Sequence, residues 1–82
     1  MRTSHALLLR FQHDPQYEFR RVSVEYVNRG APGDRSVVQG DRILKLEQGG
    51  MEIESERGVT FIPYHRIRRI IYDGKTMWEK IF

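Results

Sequence analysis

Hydrophobic residues near the start of the chain recur with a helical period. Leu7, Leu8 and Phe11 are spaced i, i+1 and i+4, which places them on one face of a helix. We predict this helix over Ser4–Gln12, with its first residue as the N-cap. Asp14-Pro15 ends it, because a residue that precedes proline is pushed out of the α region.

Farther along, apolar and polar residues alternate with the period of two that is typical of strands. Val22, Val24 and Tyr26 alternate with polar residues and predict a strand over 19–29. Further strands are predicted over 51–55, 59–62, 67–72 and 75–82. Val37-Val38 suggests a short extended piece, and residues 41–46 fit a helical turn or a short strand equally well.

Tight turns join most of these strands. Asp73-Gly74 is typical of a two-residue type I′ hairpin, and Glu56-Arg57-Gly58 predicts a second short hairpin. Such short connections require antiparallel pairing. We therefore predict an α+β fold, in which the N-terminal helix covers one face of a curled, mainly antiparallel sheet of about five strands. Closure of the sheet into a small barrel is left open.

Length and composition restrict the class of protein. The chain has 82 residues and no cysteine, which predicts one small domain over 1–82 without disulfides or thiolate metal sites. The longest apolar run, Ala6–Leu9, is far shorter than the ~20 residues that span a bilayer. Residues 1–5 lack the apolar segment of a signal peptide, so we expect a cytoplasmic protein with no membrane partner.

The charge of the chain is unevenly distributed. The net charge is +3, from 14 basic and 11 acidic residues, and 11 of the basic residues are arginine. Residues 1–35 and 59–82 carry net charges of +2 and +3, whereas residues 36–58 carry −2. Arginine suits bidentate capture of phosphate or carboxylate, although a coding bias toward arginine would give the same composition. The excess of positive charge permits nucleic-acid binding without demonstrating it.

The loop Arg29–Asp34 is the first candidate site. Gly30 and Gly33 allow backbone N–H groups to approach an oxyanion closely, and Arg29 supplies positive charge. The spacing is not that of a Walker phosphate loop. An ordinary connection rich in turn residues explains the same composition.

The second candidate site follows Pro63, which interrupts a strand and predicts an edge or a bulge. Tyr64, His65 and Arg66 come next, and all three residue types bind phosphate or stack on bases. Strand alternation predicts that Arg68 shares a face with Arg66, and with Ile70 and Tyr72, while Arg69 shares the other face with Ile67 and Ile71. The alternative is a polar surface corner.

Other chemistry is not supported by the sequence. His5 and His13 do not lie on one helical face, so we predict no zinc site. No serine lies in a nucleophile motif, and we predict no catalytic residue, metal or cofactor. The single Trp78 is a better candidate for the core than for base stacking.

Taken together, the motifs resemble those of a known family. The chain has Asp14-Pro15 after its helix, Arg-Gly-Ala-Pro at 29–32, Ile-Pro-Tyr-His-Arg-Ile at 62–67 and a final strand with Trp78. This order, over roughly 4–80, resembles a small archaeal uncharacterised protein family that is proposed to be an RNA cyclic-group-end recognition domain. Either central motif alone would be weak, whereas the pair at this separation is specific.

The resemblance implies a module that binds RNA termini, with 2′,3′-cyclic phosphate ends as the proposed ligand. Such domains also occur fused to RNA-end enzymes, which implies an RNA-processing enzyme as a further partner. The family's motif positions in this chain are Asp14, Arg29, Gly30, Asp34, Pro63, His65 and Arg66. The family commonly has tryptophan where this chain has His13. That tryptophan either packs in the fold or stacks on a base.

We expect the two motifs to converge on one pocket. The predicted RNA- and phosphate-binding residues are Arg29, Gly30, Asp34, Tyr64, His65, Arg66 and Arg68. Two other functions stay open. A protein–protein adaptor would scatter its arginines, and a phosphoesterase would need a second acid–base group, such as His13, beside His65.

Overall fold

The structure, a computed structural model, describes residues 3–80. It contains one helix, α1 (Ser4–His13), and seven strands. The strands are β1 (Val22–Val27), β2 (Arg35–Gln39), β3 (Ile43–Leu46), β4 (Gly50–Ser55), β5 (Gly58–Pro63), β6 (Ile67–Tyr72) and β7 (Lys75–Glu79). Four one-turn 3₁₀ helices precede β1, β2, β3 and β6. The last strand was predicted to continue to residue 82, but residues 81 and 82 lie outside the described part of the chain.

The helix agrees with the predicted one except at its ends. Thr3, not Ser4, is the N-cap, because the Thr3 hydroxyl accepts a hydrogen bond from the backbone N–H of Ala6 at 3.1 Å. Asp14, the residue before proline, is the C-cap, with extended backbone angles. The predicted face, which includes Phe11, is buried.

The α+β class is confirmed, but the strands form two antiparallel sheets instead of one. A four-stranded sheet has the order β2-β1-β6-β7, and a three-stranded sheet has the order β3-β4-β5. The prediction of a single curled sheet of about five strands was therefore wrong, and the structure shows no closed barrel among residues 3–80. The two extra strands, β2 and β3, occupy the segments whose patterns were weak or ambiguous.

One hydrophobic core joins the helix to both sheets. It contains Leu8 of the helix, Val24 of the four-stranded sheet and Met51 of the three-stranded sheet, all fully buried. Trp78 packs against this core from β7, as predicted. Because the two sheets share the core, their relative placement depends on the same apolar contacts.

A β-bulge interrupts the pairing of β1 with β6. Glu25 pairs with Arg69 and Tyr26 pairs with Ile67, so Arg68 has no opposite residue on β1. The bulge shifts the alternation by one position, and Ile67 and Ile70 are both fully buried. The predicted face of Ile67 was therefore wrong, because strict alternation would have put these two isoleucines on opposite sides, whereas the faces of residues 69–72 follow the predicted alternation.

A row of charges crosses the four-stranded sheet beside the bulge. The guanidinium of Arg69 donates to both carboxylate oxygens of Glu25, at 3.3 and 3.0 Å, and Arg35 donates to the same carboxylate at 3.1 Å. Glu25 is buried. The hydrogen bonds from Arg69, assisted by the charges of Arg69 and Arg35, hold the pKa of Glu25 below its ordinary value despite burial.

Replacing Glu25 with glutamine is expected to lower the free energy of unfolding by about 1–2 kcal/mol at neutral pH, because two arginines lose a charged acceptor. A depressed pKa stabilises the fold fully above the ordinary value of 4.5, and that contribution is lost as the pH falls through the folded-state pKa. The difference between wild type and Glu25→Gln should therefore shrink in acid. Urea unfolding across pH measures it.

The matched control is Glu79→Gln. Glu79 pairs with Arg69 in the register of β6 and β7, but it is exposed. An exposed charge of this kind contributes less than about 1 kcal/mol. If both variants lost the same stability, with the same dependence on pH, the buried carboxylate would have no special role.

The uneven charge of the sequence separates onto the two sheets. Residues 43–63, which include the whole three-stranded sheet, contain two basic residues and four glutamates, and the rest of the chain carries a net charge of +5. Of this charge, the four-stranded sheet and its connections, residues 22–39 and 64–80, carry +3, all of it in the second segment.

Within residues 3–80, the helix is too short and too polar to cross a bilayer.

Candidate functional site

Both candidate motifs lie at one end of the four-stranded sheet. The first motif follows the end of β1, and the second precedes the start of β6. Because β1 and β6 are antiparallel neighbours, the end of one strand meets the start of the other. The same rule brings the start of β2 and the end of β7 to this edge. Segments about 35 residues apart in the sequence therefore meet.

The meeting point is a shallow depression of about 410 Å³, called the basic depression here. Its lining residues are Val27, Arg29, His65, Arg66, Arg68 and Lys80. Four of the six are cationic, and one is an imidazole. Arg29 of the first motif and the His65-Arg66 pair of the second thus line one concave surface, which is the convergence that we expected.

Two guanidinium groups of the basic depression are available to a ligand. Arg29 and Arg66 are exposed, and among residues 3–80 neither guanidinium has an ion pair or a hydrogen bond. The ammonium of Lys80 donates to the backbone oxygen of His65 at 2.8 Å, which ties the end of β7 to the turn before β6. Arg68 enters the depression at the bulge, a device that re-aims side chains.

The 29–34 loop is closed by its own hydrogen bonds. The carboxylate of Asp34 accepts from the N–H of Gly30 at 3.2 Å, and the N–H of Ala31 donates to the oxygen of Asn28 at 3.1 Å. Asp34 has a φ of 56°, in the left-handed region that non-glycine residues rarely adopt. These N–H groups are therefore engaged within the loop. The glycine content alone had predicted N–H groups that are free to bind an anion. Gly30 and Asp34 shape the loop that presents Arg29.

Tyr64 faces away from the basic depression and lines none of it. Its ring stacks on His5 of the helix, with ring centroids 4.4 Å apart, and its hydroxyl donates to the backbone oxygen of Glu47. Burial, with the nearby charge of Glu47, raises the pKa of Tyr64 to about 12. Tyr64 therefore joins the helix to the three-stranded sheet, and its predicted stacking on a base receives no support from this placement.

The remaining motif residues lie outside the basic depression. Asp14 accepts a hydrogen bond from the N–H of Gln16 at 2.9 Å in the turn after the helix. His13 is exposed at the end of α1 and lines no part of the basic depression. Pro63 pairs with Gly50 at the end of β5. In the described part of the chain, no group of three histidine or acidic side chains is placed to hold a metal ion.

A second depression, called the loop depression here, adjoins the first and has a volume of about 510 Å³. It is lined by Val27, Arg29, Gly33, Asp34, Arg35 and Arg68. Sequence reasoning missed Arg35 and Lys80 as lining residues. Both residues lie next to a strand end in the sequence. Only the order of the strands shows that these ends meet, and the sequence does not reveal that order.

Comparison with known proteins places this chain in a family. Residues 1–80 match the family model of the MJ1316 RNA cyclic group end recognition domain. A UPF0248 protein of Thermococcus gammatolerans is 36% identical over 75 residues, which cover 90% of this chain and 84% of the relative. A UPF0248 protein of Thermococcus onnurineus is 34% identical over 74 residues, which cover 89% and 79%.

A third relative, a UPF0248 protein of Pyrobaculum calidifontis, is 43% identical over 42 residues, about half of each chain. No solved structure gives a significant match. The family match extends over nearly the whole chain and includes both motifs that line the basic depression. The chain therefore belongs to the family of the MJ1316 RNA cyclic group end recognition domain, as the resemblance of its motifs predicted.

Proposed function

We propose that this protein is an RNA-binding module that holds RNA termini in the basic depression and recognises ends that carry a 2′,3′-cyclic phosphate. The observation that carries the proposal is the meeting of Arg29 with His65 and Arg66 on one concave surface. The name of the matching family agrees with this function.

The chemistry of the ligand fits the lining. A cyclic phosphate is a monoanion with two unesterified oxygens at the end of a chain. Arg29 and Arg66 approach from different segments and offer guanidinium forks to these oxygens. His65 adds an N–H donor, and Arg68 and Lys80 add positive charge.

The lining favours binding over chemistry. Enzymes that open cyclic phosphates use a pair of acid–base groups. His65 is the single imidazole among the lining residues, and His13 lies at the end of the helix, outside both depressions. We therefore propose a module without turnover. An RNA-processing enzyme as its partner is an expectation that rests on the family resemblance.

The test compares one short RNA sequence with three different ends: a 2′,3′-cyclic phosphate, a 3′-phosphate and a hydroxyl. We expect the cyclic and 3′-phosphate ends to bind at least about tenfold more tightly than the hydroxyl end, because a charge-assisted contact contributes about 1.5–3 kcal/mol. Fluorescence anisotropy or calorimetry at fixed salt measures this. Equal affinity for all three would contradict recognition of the end, and equal affinity for the two phosphorylated ends would contradict recognition of the cyclic form.

A protein–protein adaptor is the second candidate. Leu44, Val59 and Phe61 are exposed hydrophobic residues of the three-stranded sheet. On β4, Glu52 pairs with Phe61 and Glu54 pairs with Val59, so the face is both apolar and acidic. This sheet contributes no residue to either depression. An adaptor without RNA function would bind none of the three RNAs, so the same experiment separates the two candidates.

A further inference from the structure

The loop depression is a second concave surface. The proposed binding of the RNA end in the basic depression does not use the residues that line the loop depression alone. It shares a wall with the basic depression, because Val27, Arg29 and Arg68 line both. A ligand that occupies both depressions would therefore pass over Arg29 without leaving the protein surface.

The side chains that belong to the loop depression alone have complementary chemistry. The Arg35 side chain is more than half exposed, and its Nη1 donates to Glu25 at 3.1 Å. Its other N–H groups can donate to a phosphodiester. Asp34 is an acceptor that repels phosphate but can accept a hydrogen bond from a hydroxyl. A guanidinium beside an acceptor matches a phosphodiester beside a ribose hydroxyl.

We propose, building on the proposed function, that the loop depression binds the nucleotide that precedes the RNA end. Arg35 contacts the internucleotide phosphate, and Asp34 accepts a hydrogen bond from the 2′-hydroxyl of that nucleotide. The minimal ligand is then a dinucleotide, and the protein distinguishes RNA from DNA at the position before the end.

The charge row of the sheet supports this assignment. Glu25 holds Arg35 from one side while Arg69 holds Glu25 from the other, so the Arg35 side chain is positioned before a ligand arrives. A guanidinium that is already ordered loses less conformational entropy when it binds. The arrangement therefore suits a specific contact better than a mobile surface arginine would.

The experiment measures the affinity of a nucleoside 2′,3′-cyclic phosphate and of a dinucleotide with the same end. In the wild type, we expect the dinucleotide to bind about tenfold more tightly, as one added charge-assisted contact implies. Arg35→Ala should remove this gain and leave the affinity for the mononucleotide unchanged. Asp34→Asn keeps an oxygen for the Gly30 N–H, and it should reduce the preference for ribose over deoxyribose in the first nucleotide.

The control is Arg42→Ala. It removes the same charge from an exposed arginine that lines neither depression, so the gain from the second nucleotide should persist. If the wild type binds the mononucleotide and the dinucleotide equally, or if Arg35→Ala weakens both alike, the second subsite is wrong while the end site stands. If neither ligand binds, the proposed function fails, and the subsite fails with it.

Discussion

Replacing Gly40 with alanine is expected to destabilise the protein by about 3 kcal/mol or more, the upper range for overpacking a close contact. Gly40 begins the 3₁₀ turn before β3, and a Cβ there would lie 1.8 Å from the carbonyl oxygen of Phe19 and 2.8 Å from its carbonyl carbon. These are backbone atoms, which cannot rotate away as a flexible side chain can. The turn Phe19–Arg21 would have to move, and Phe19 packs against the core.

Chemical denaturation of the wild type and of Gly40→Ala measures this loss of stability. Gly49→Ala is the matched control, because a Cβ at Gly49 meets only the ring of Phe61 at an ordinary 3.9 Å. We expect the control to change the free energy of unfolding by less than about 1 kcal/mol in either direction. Similar stabilities for the two variants would show that the two turns are not in close contact.

The double variant Arg29→Ala, Arg66→Ala is expected to weaken binding of a phosphate-ended RNA by more than about 2 kcal/mol, since each lost charge-assisted contact costs about 1–3 kcal/mol. Both arginines are proposed to contact the same terminal phosphate, so their losses should not add, and the two single variants measure the coupling. The slope of log affinity against log salt should fall by about one for each arginine that contacts phosphate. Both side chains are exposed, so the fold should retain its stability.

The control for the double variant is Arg42→Ala, Arg57→Ala. It changes the net charge by the same amount, both arginines are exposed, and neither lines a depression. Anisotropy titrations at several salt concentrations compare the two pairs. An equal loss of affinity in both would mean that the RNA responds to overall charge alone, and that the basic depression is not its site.

Local chemistry made part of the fold predictable. Asp73 and Gly74 have φ values of 52° and 84°, the positive pair that a type I′ hairpin requires, and β6 and β7 flank this turn as predicted. The strand β2 was predicted only as a short extended piece at Val37-Val38, because both residues are apolar although Val38 is buried and Val37 is more than half exposed, so the sequence shows no alternation there. The division into two sheets depends on long-range contacts that no local pattern encodes.

The site was predictable in part for the same reasons. The meeting of Arg29 with His65 and Arg66 was expected from the motif pair, and antiparallel neighbours accomplish it. The bulge at Arg68 was not expected, because strict alternation was assumed across it. Its signal was the three-residue spacing of Ile67 and Ile70, which a regular strand cannot bury on one face.

The separation of charge between the two sheets has a consequence for the kinetics of encounter. A polyanion that approaches the three-stranded sheet meets the carboxylates of Glu52 and Glu54, whereas one that approaches the other sheet meets the basic depression. The resulting electric dipole turns the protein during diffusion, so collisions occur preferentially in the productive orientation. The association rate constant should therefore exceed the ~10⁵–10⁶ M⁻¹s⁻¹ of neutral partners and fall steeply with salt.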